Sequence, residues 1–249
     1  MNYGKDFKKY ALSEGISSLN MDYYEKGIVD NSGLVTGNMT PYILEERTLN
    51  MTQIDVFSRL MRDRILWVSG MVNDNMSNIV QAQMMYLDNV EKKDIKMHVN
   101  TGGGSVLAGL GMIDVMRYIN SDVQTINTGM AASMGAMLLS SGTKGKRASL
   151  NFSKTMIHQV SSGAQGTVMD NRINHLESEK YNFLLFKMIA ENTNKDVYEV
   201  LTAASRDKWF NSNEALEFGL IDEIIIKDGE TTIEKYMEGF DEYQKFISK

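Results

Sequence analysis

The alternation of short apolar runs with longer amphipathic segments constrains the fold of this chain more than any other feature. Apolar runs of strand length occur at residues 65–68, 95–99 and 123–127. Each run is followed by a segment whose apolar residues recur every three or four positions, at 74–89, 106–119 and 132–141. Each pair has the length of one βα unit, so the pattern predicts an α/β fold with a largely parallel sheet.

The segments outside these three units are also assigned from their patterns. Further strands are predicted at 147–150, 154–158 and 221–226, and further helices at 55–63, 169–192, 197–204 and 212–218. Residues 1–40 are polar and irregular, apart from a short helix predicted at 3–12, and we interpret them as a flexible extension. Residues 41–227 form the predicted domain, and 228–249 form a polar tail.

Composition excludes several classes of function. With 249 residues and 43% hydrophobic residues, the chain can bury one sizeable core. The net charge of −6 argues against nucleic acid as a main partner. The absence of cysteine excludes disulfides, thiol catalysis and cysteine-based metal sites, and we expect no metal. An N-terminus without an apolar signal region and the lack of an 18-residue apolar run predict a cytoplasmic protein without a membrane segment.

Two loops follow predicted strands at the sheet edge where α/β proteins gather their sites. The first, TGGGS at 101–105, lets backbone N–H groups approach a ligand closely, but it lacks the spacing of a nucleotide loop, and a tight turn is the simpler interpretation. The second, GMAASMGAM, carries Ser133 at the start of a helix. Because Ala131 breaks the G-x-S-x-G pattern, a helix cap is the commoner role for such a serine, and a nucleophile is the alternative.

Three histidines limit the choice of a general base. His98 lies in an apolar strand and faces either the core or a partner surface, whereas His175 lies among glutamates on a helix and is expected to be solvated. His158 ends an apolar strand, where a catalytic base is usefully placed. A Ser–His pair needs a carboxylate to hold the imidazole, and the residue types alone leave four candidates open: Asp170, Asp196, Asp207 and Asp222.

The order and spacing of several longer motifs resemble the ClpP family, the proteolytic subunits of ATP-dependent Clp proteases. They are DVFSRLMRDRI, NIVQAQMMYLD, VNTGGGSVLAGLGMID, INTGMAASMGAMLLSSGTKGKR, MIHQ and RDKWFNSNEALEFGLIDE. The resemblance covers about residues 42–226 and implies a serine endopeptidase. It implies Ser133 as nucleophile, His158 as base and Asp207 as acid, with the backbone N–H groups of Gly104 and Met134 as the oxyanion hole.

The same resemblance implies an architecture and partners. The fold would be a ClpP/crotonase-like spiral of βα units with a protruding handle, made of a strand and a long helix at about 159–192. Subunits would form two stacked heptameric rings around a chamber. A AAA+ unfoldase of the ClpX or ClpA/ClpC type would feed unfolded proteins into it. The ATP would be used by that partner, so no cofactor is expected here. Residues 1–40 would be a propeptide or an extension.

The resemblance also implies a pocket that docks the ATPase. Its matching positions are Lys96, His98, Tyr118, Ile126, Thr128 and Ile225. Because Lys96 and His98 are polar where aromatic residues are usual, an apolar docking loop would bind less well. We therefore expect a different ATPase or a mixed ring. Two other functions stay open from the sequence: a ring subunit with a mainly structural role, and an acyl-CoA enzyme of the related crotonase type.

Overall fold

The computed structural model describes residues 42–47, 50–163 and 165–248. The N-terminal extension and the helix expected at 3–12 lie outside the described residues. The chain divides into two compact units, Met1–Ile43 and Leu44–Lys249. Apart from Tyr42 and Ile43, all the described residues belong to the second unit.

Parallel pairing dominates the main sheet, as the βα pattern predicted. The strands are β1 (Tyr42–Arg47), β2 (Asn50–Asp55), β3 (Ile65–Ser69), β4 (Ile95–Thr101), β5 (Val123–Ala132), β6 (Arg147–Leu150), β7 (Lys154–Ile157), β8 (Lys208–Phe210) and β9 (Glu223–Ile225). β1 and β2 pair as a separate two-stranded sheet, and the main sheet has the order β3-β4-β5-β6-β9. β7 pairs in parallel with β5 and antiparallel with β8.

Six of the nine helices in the described part of the chain begin at a residue whose side chain accepts a hydrogen bond from the first turn. The helices are α1 (Val56–Arg62), α2 (Asp74–Val90), α3 (Val106–Tyr118), α4 (Met134–Ser140), α5 (Val168–Thr193), α6 (Val197–Ala203), α7 (Ser212–Phe218), α8 (Ile233–Met237) and α9 (Phe240–Ile247). Asn73 and Ser105 accept hydrogen bonds from backbone N–H groups in the first turns of α2 and α3. These bounds agree with the sequence prediction to within one or two residues for each helix predicted in the described part.

The core lies between the sheet and α2 and α3. In β4 the side chains of Ile95, Met97 and Val99 are fully buried, whereas the alternating Lys96 points to solvent. This two-residue alternation gives the sheet one apolar face for the helices and leaves the other face partly open. Met84 and Met112 fill the contact between α2, α3 and the sheet, which explains part of the high methionine content.

β5 is twice as long as the sequence predicted, and its length positions the site. Residues 125–127 pair with β6 and residues 130–132 pair with β7, so the two halves of the strand have different neighbours. The prediction ended the strand at Asn127 because the residues that follow are small and include Gly129. Small residues suit this part of the strand, since a Cβ on Gly129 would lie 2.7 Å from the side chain of Asn100.

The handle differs from the prediction in one respect. Its helix, α5, has 26 residues and begins with a capping box between Thr167 and Asp170. The described residues between β7 and α5 do not form the strand that was predicted there. A strand needs a hydrogen-bonded neighbour, and within this chain no described strand pairs with the segment.

The C-terminal tail contains two short helices, α8 and α9, that its polar composition did not predict. Asn151 attaches this tail to the sheet, because its side chain donates to the Thr231 carbonyl and accepts from the Ile233 N–H. The ring of Tyr236 packs edge-on against Phe152 at 5.5 Å. The tail therefore begins on the turn between β6 and β7.

A buried ion pair joins the end of the sheet to two helices. The Arg147 guanidinium binds both oxygens of Asp222, at 2.5 and 2.8 Å, and donates to the carbonyls of Ser140 and Asn192. The Arg147 side chain is only 5% exposed. Burial alone would raise the pKa of the Asp222 carboxyl, but the hydrogen bonds and positive charge of Arg147, with the Gly145 N–H, hold it below its usual value.

Replacing Asp222 by Asn should lower the free energy of unfolding by about 3 kcal/mol at pH 7, because it leaves the Arg147 charge buried and unpaired. A depressed carboxyl pKa contributes stability above the unfolded-state value of about 4 and loses it as the pH falls through the folded-state value. The difference from wild type should therefore shrink below about pH 4. Urea unfolding at several pH values measures the difference in stability between Asp222→Asn and wild type, with the exposed Asp228→Asn as control. Equal unfolding midpoints for Asp222→Asn and wild type at pH 7 would contradict the prediction.

Candidate active site

Ser133 occupies a strained turn between β5 and α4. Its φ and ψ are 55° and −120°, a region that residues other than glycine rarely adopt. It stands at the N-cap position of α4, yet its side chain makes no capping hydrogen bond. The Ser133 N–H donates to the Met156 carbonyl on β7 at 2.9 Å. The turn therefore directs the hydroxyl away from the helix, as in the strand-to-helix elbow of serine hydrolases, although the G-x-S-x-G pattern is absent.

The strand register brings the other two predicted residues to this hydroxyl. Ile157 pairs with Lys208 across β7 and β8, so His158 and Asp207 are adjacent at the ends of the two strands. His158 Nε2 lies 2.9 Å from the Ser133 Oγ, and His158 Nδ1 lies 3.2 Å from an Asp207 carboxylate oxygen. Both distances are within hydrogen-bonding range. The hydroxyl, imidazole and carboxylate thus form one chain of contacts.

The three carboxylates that competed with Asp207 in the sequence have other partners. Asp170 belongs to the capping box of α5, and Asp196 caps the N-terminus of α6. Asp222 is bound to Arg147. Residue types alone did not identify the carboxylate partner of His158. In the structure, Asp207 is the one of these four carboxylates that contacts it.

Two backbone N–H groups lie near the Ser133 hydroxyl without a protein partner. The Gly104 N–H follows β4, and the Met134 N–H opens α4; within the described chain neither donates a hydrogen bond. Both residues line the cavity that also contains Ser133. The first N–H of a helix carries a partial positive charge, so this pair of donors suits an oxygen that becomes negative.

Gly103 fixes the distance between the glycine turn and Ser133. Its φ is +94°, and a Cβ there would lie 2.6 Å from the Ser133 Cβ and 2.9 Å from the Met134 N. The Thr101 hydroxyl accepts the Gly103 N–H at 3.0 Å, and the Gly103 carbonyl accepts the Val72 N–H at 2.9 Å. The glycines are therefore a tight turn packed against the serine, and this packing is a role that the sequence motif did not identify.

A cavity of about 70 Å³ opens beside Ser133 and His158. Its walls combine apolar side chains with polar groups, among them Gln159 and Ser161, and come from α3, α4, the end of β7 with the segment after it, and α5. The apolar lining residues are Val106, Met137, Ile157, Val160, Leu185, Phe186 and Ile189. The sequence does not predict this lining, because these residues are spread over 84 positions of the chain and each resembles an ordinary core residue.

Five of the six positions of the expected docking pocket lie on strands of the main sheet, the sixth lies at the end of α3, and none of them lines the active-site cavity. His98 pairs in register with Ile126 across β4 and β5, and its ring stacks on Trp67 at 4.9 Å. Burial, and then the charge of Lys96, lower the pKa of His98. Thr128 follows Ile126 on β5, whereas Ile225 lies two strands away on β9. Tyr118, at the end of α3, is 77% exposed.

The described residues also show where His175 lies and whether they contain a metal site or a membrane-spanning helix. His175 is solvent-exposed and lies 3.3 Å from Glu179 on the same helix. Among the described residues, no group of three or more His, Asp or Glu side chains is arranged to hold a metal ion. No helix in the described part of the chain has the length and apolarity needed to cross a membrane.

Replacing Gly103 by Ala should abolish the reactivity of the Ser133 hydroxyl, because the new Cβ would displace Ser133 and the Met134 N–H. Gly102 provides a matched control, since its φ is not in the positive region and a Cβ would meet only the end of Met130, at 3.5 Å. We expect at least a hundredfold slower labelling by a fluorophosphonate in Gly103→Ala, and near-normal labelling in Gly102→Ala. Equal labelling rates in the two variants would contradict this account.

Comparison with known proteins identifies the family of the chain. The family described as Clp protease matches residues 48–228. The chain is 47% identical over 224 residues to an ATP-dependent Clp protease proteolytic subunit of Bacteroides thetaiotaomicron, covering 89% of this chain and 99% of the relative. Proteins of the same name from Bacteroides fragilis and Porphyromonas gingivalis are 46% and 43% identical over 224 and 225 residues, covering 89% and 90% of this chain and 99% and 98% of the relatives. The chain therefore belongs to the Clp protease family and is a serine-type peptidase.

Proposed function

We propose that this chain is the proteolytic subunit of an ATP-dependent Clp protease and hydrolyses unfolded polypeptides with Ser133, His158 and Asp207. The observation that carries the proposal is the contact chain from the Ser133 hydroxyl through the His158 imidazole to Asp207, at 2.9 and 3.2 Å. All three groups are present and in contact, so a mainly structural subunit is not favoured. An acyl-CoA enzyme would not need this set of groups.

The arrangement supports the two steps of acyl transfer. In the first step the Ser133 oxygen attacks the peptide carbonyl while His158 Nε2 accepts the hydroxyl proton, and Asp207 stabilises the imidazolium. The carbonyl oxygen becomes negative and is bound by the Gly104 and Met134 N–H groups. His158 then donates the proton to the leaving amine. In the second step water, deprotonated by His158, attacks the acyl-enzyme and releases the second peptide.

The cavity next to Ser133 sets the expected preference for substrate side chains. An apolar side chain N-terminal to the cleaved bond would fill the cavity and lose its contact with water, which contributes roughly 25 cal/mol per Å² of buried apolar surface. A charged side chain would lose hydration beside Leu185, Phe186 and Ile189, and the described lining residues include no lysine, arginine or carboxylate to pair with it. We therefore expect cleavage after medium-sized apolar residues.

The outer side of α5 supports an assembly of several copies. Helix α5 leaves a stripe of apolar side chains uncovered in the single chain: Met169, Ile173, Leu176 and Phe183 are between 47% and 63% exposed. These residues recur at helical spacing on the part of α5 that precedes its first buried residue, Leu185. We propose that this stripe packs against other copies, in two stacked seven-membered rings that enclose the active sites.

The partner that delivers substrates is proposed from the relatives' name, which includes ATP dependence. A AAA+ unfoldase of the ClpX or ClpA/ClpC type would consume the ATP, and this chain would need no cofactor of its own. It would dock at Lys96, His98, Tyr118, Ile126, Thr128 and Ile225. The polar Lys96 and half-buried His98 favour a different ATPase or a mixed ring over a purely apolar docking loop. The complex would work in the cytoplasm, without nucleic acid or membrane.

Replacing Ser133 by Ala should reduce hydrolysis of a fluorogenic peptide by at least a thousandfold, because no other group can form the acyl-enzyme. Initial rates with a leucine-ended peptide measure the effect, and native mass shows whether assembly persists. Ser248→Ala, at the exposed serine that follows α9, is the control. Wild-type rates in the Ser133 variant would refute the proposed function.

Replacing Ile173 by Glu should lower the native mass of the assembly, because it places a charge in the centre of the apolar stripe on α5. Asn174→Glu introduces the same side chain at the next, polar position and should leave the mass unchanged. Analytical ultracentrifugation or native mass spectrometry distinguishes the variants. A monomeric wild type, or an Ile173 variant of wild-type mass, would show that the stripe does not hold an assembly together.

A further inference from the structure

Asn182 is a polar residue on the apolar side of α5. The side chains of Leu185, Phe186 and Ile189 line the cavity beside Ser133, and Asn182 precedes them by one turn on the same face of the helix. Asn182 is half-buried. Its side-chain oxygen accepts the backbone N–H of Val160 at 2.9 Å, and this is the one hydrogen bond of that side chain within the described chain. Packing alone gives no reason for an amide at this position.

The Asn182 contact is the last of three anchors that hold the chain after β7. His158 is held between Ser133 and Asp207, and the Gln159 side chain donates to the Ser205 carbonyl at 3.1 Å. Val160 is held by Asn182. Beyond it, the described residues of 161–166 make no hydrogen bond. The hydrogen-bonded part of this wall therefore ends at Val160, and Asn182 provides its last anchor.

We propose that Asn182 is a positioning residue that fixes Val160 as the wall of the substrate cavity. The inference rests on the proposed function, because it concerns how the same site holds its substrate. Val160 packs against the core and lines the cavity, and its backbone N–H lies on the side of the segment that faces α5. Without the Asn182 oxygen this N–H is left without a partner in a partly buried place, which favours conformations that turn the segment toward water.

Loss of the hydrogen bond between Asn182 and Val160 should weaken substrate binding more than it slows the chemical step. Val160 contributes to the cavity, whereas the Ser133–His158–Asp207 contacts do not involve Asn182. Asn182 thus acts on the wall and leaves the reacting groups in place. An effect on KM with little change in kcat is the signature of an interaction made equally in the ground state and the transition state.

Asn182→Leu provides the sharpest test. Leucine has the same number and branching of side-chain heavy atoms as asparagine, suits the apolar face of α5 and removes the acceptor, so the variant should fold with a thermal midpoint close to that of wild type. We expect KM for a leucine-ended peptide to rise about fivefold, equivalent to about 1 kcal/mol, with kcat within twofold of wild type. Asn182→Asp retains an oxygen acceptor and should restore KM to within twofold. Asn174→Leu makes the same substitution at an exposed position of α5 and should behave as wild type.

A double-mutant cycle isolates the hydrogen bond itself. Val160→Pro removes the N–H, so adding Asn182→Leu to that variant should change KM by less than twofold. A full fivefold effect in the Val160→Pro variant, or an unchanged KM in Asn182→Leu beside an active wild type, would overturn the inference alone. A wild type that cleaves peptide no faster than Ser133→Ala would overturn the proposed function and the inference with it.

Discussion

The hydrogen-bonded ladder along β7 is the interaction on which the active site depends. β7 pairs with β5 on one side and with β8 on the other, so the ends of three distant chain segments lie next to one another. Ser133 follows the last paired residue of β5, His158 follows β7 and Asp207 precedes β8. A shift of one residue in either pairing would turn the side chains to the other face and separate the three groups. Backbone register thus determines the distances between the serine hydroxyl, the imidazole and the carboxylate.

The strain at Ser133 is held in place by close packing around it. A non-glycine residue with positive φ costs about 1 to 3 kcal/mol and persists only where its surroundings over-determine it. Here the hydrogen bond to Met156 holds one side, and Gly103 packs against the other. Gly135, in the first turn of α4, allows a similar close approach, because a Cβ there would lie 2.7 Å from the Thr101 side chain. The glycines near the serine are needed for their lack of a side chain more than for flexibility.

Much of the fold and of the active site could be predicted from the sequence, and the parts that could not be predicted have physical reasons. The βα units were predictable because each helix and strand has its own apolar period, as in β4 and α2. The extension of β5 beyond Asn127 and the short strand β8 were not, since both depend on pairing with β7 rather than on local propensity. The roles of Ser133, His158 and Asp207 came from family resemblance, because residue types alone left four carboxylates open. The cavity has no local signal, because its walls come from four separate segments.

Helix α5 contributes both to the proposed substrate cavity and to the proposed contact between copies. Its inner face supplies Leu185, Phe186 and Ile189 to the cavity and Asn182 to the segment after β7. Its outer stripe is uncovered and suits contact between copies. The segment between β7 and α5 lacks a strand partner among the described residues of the single chain, and a second copy could provide the missing backbone partners. Since Val160 is where the anchored portion of that segment ends, pairing of the next residues with another copy would extend the same wall. Assembly and substrate binding would then be coupled through one short stretch of backbone.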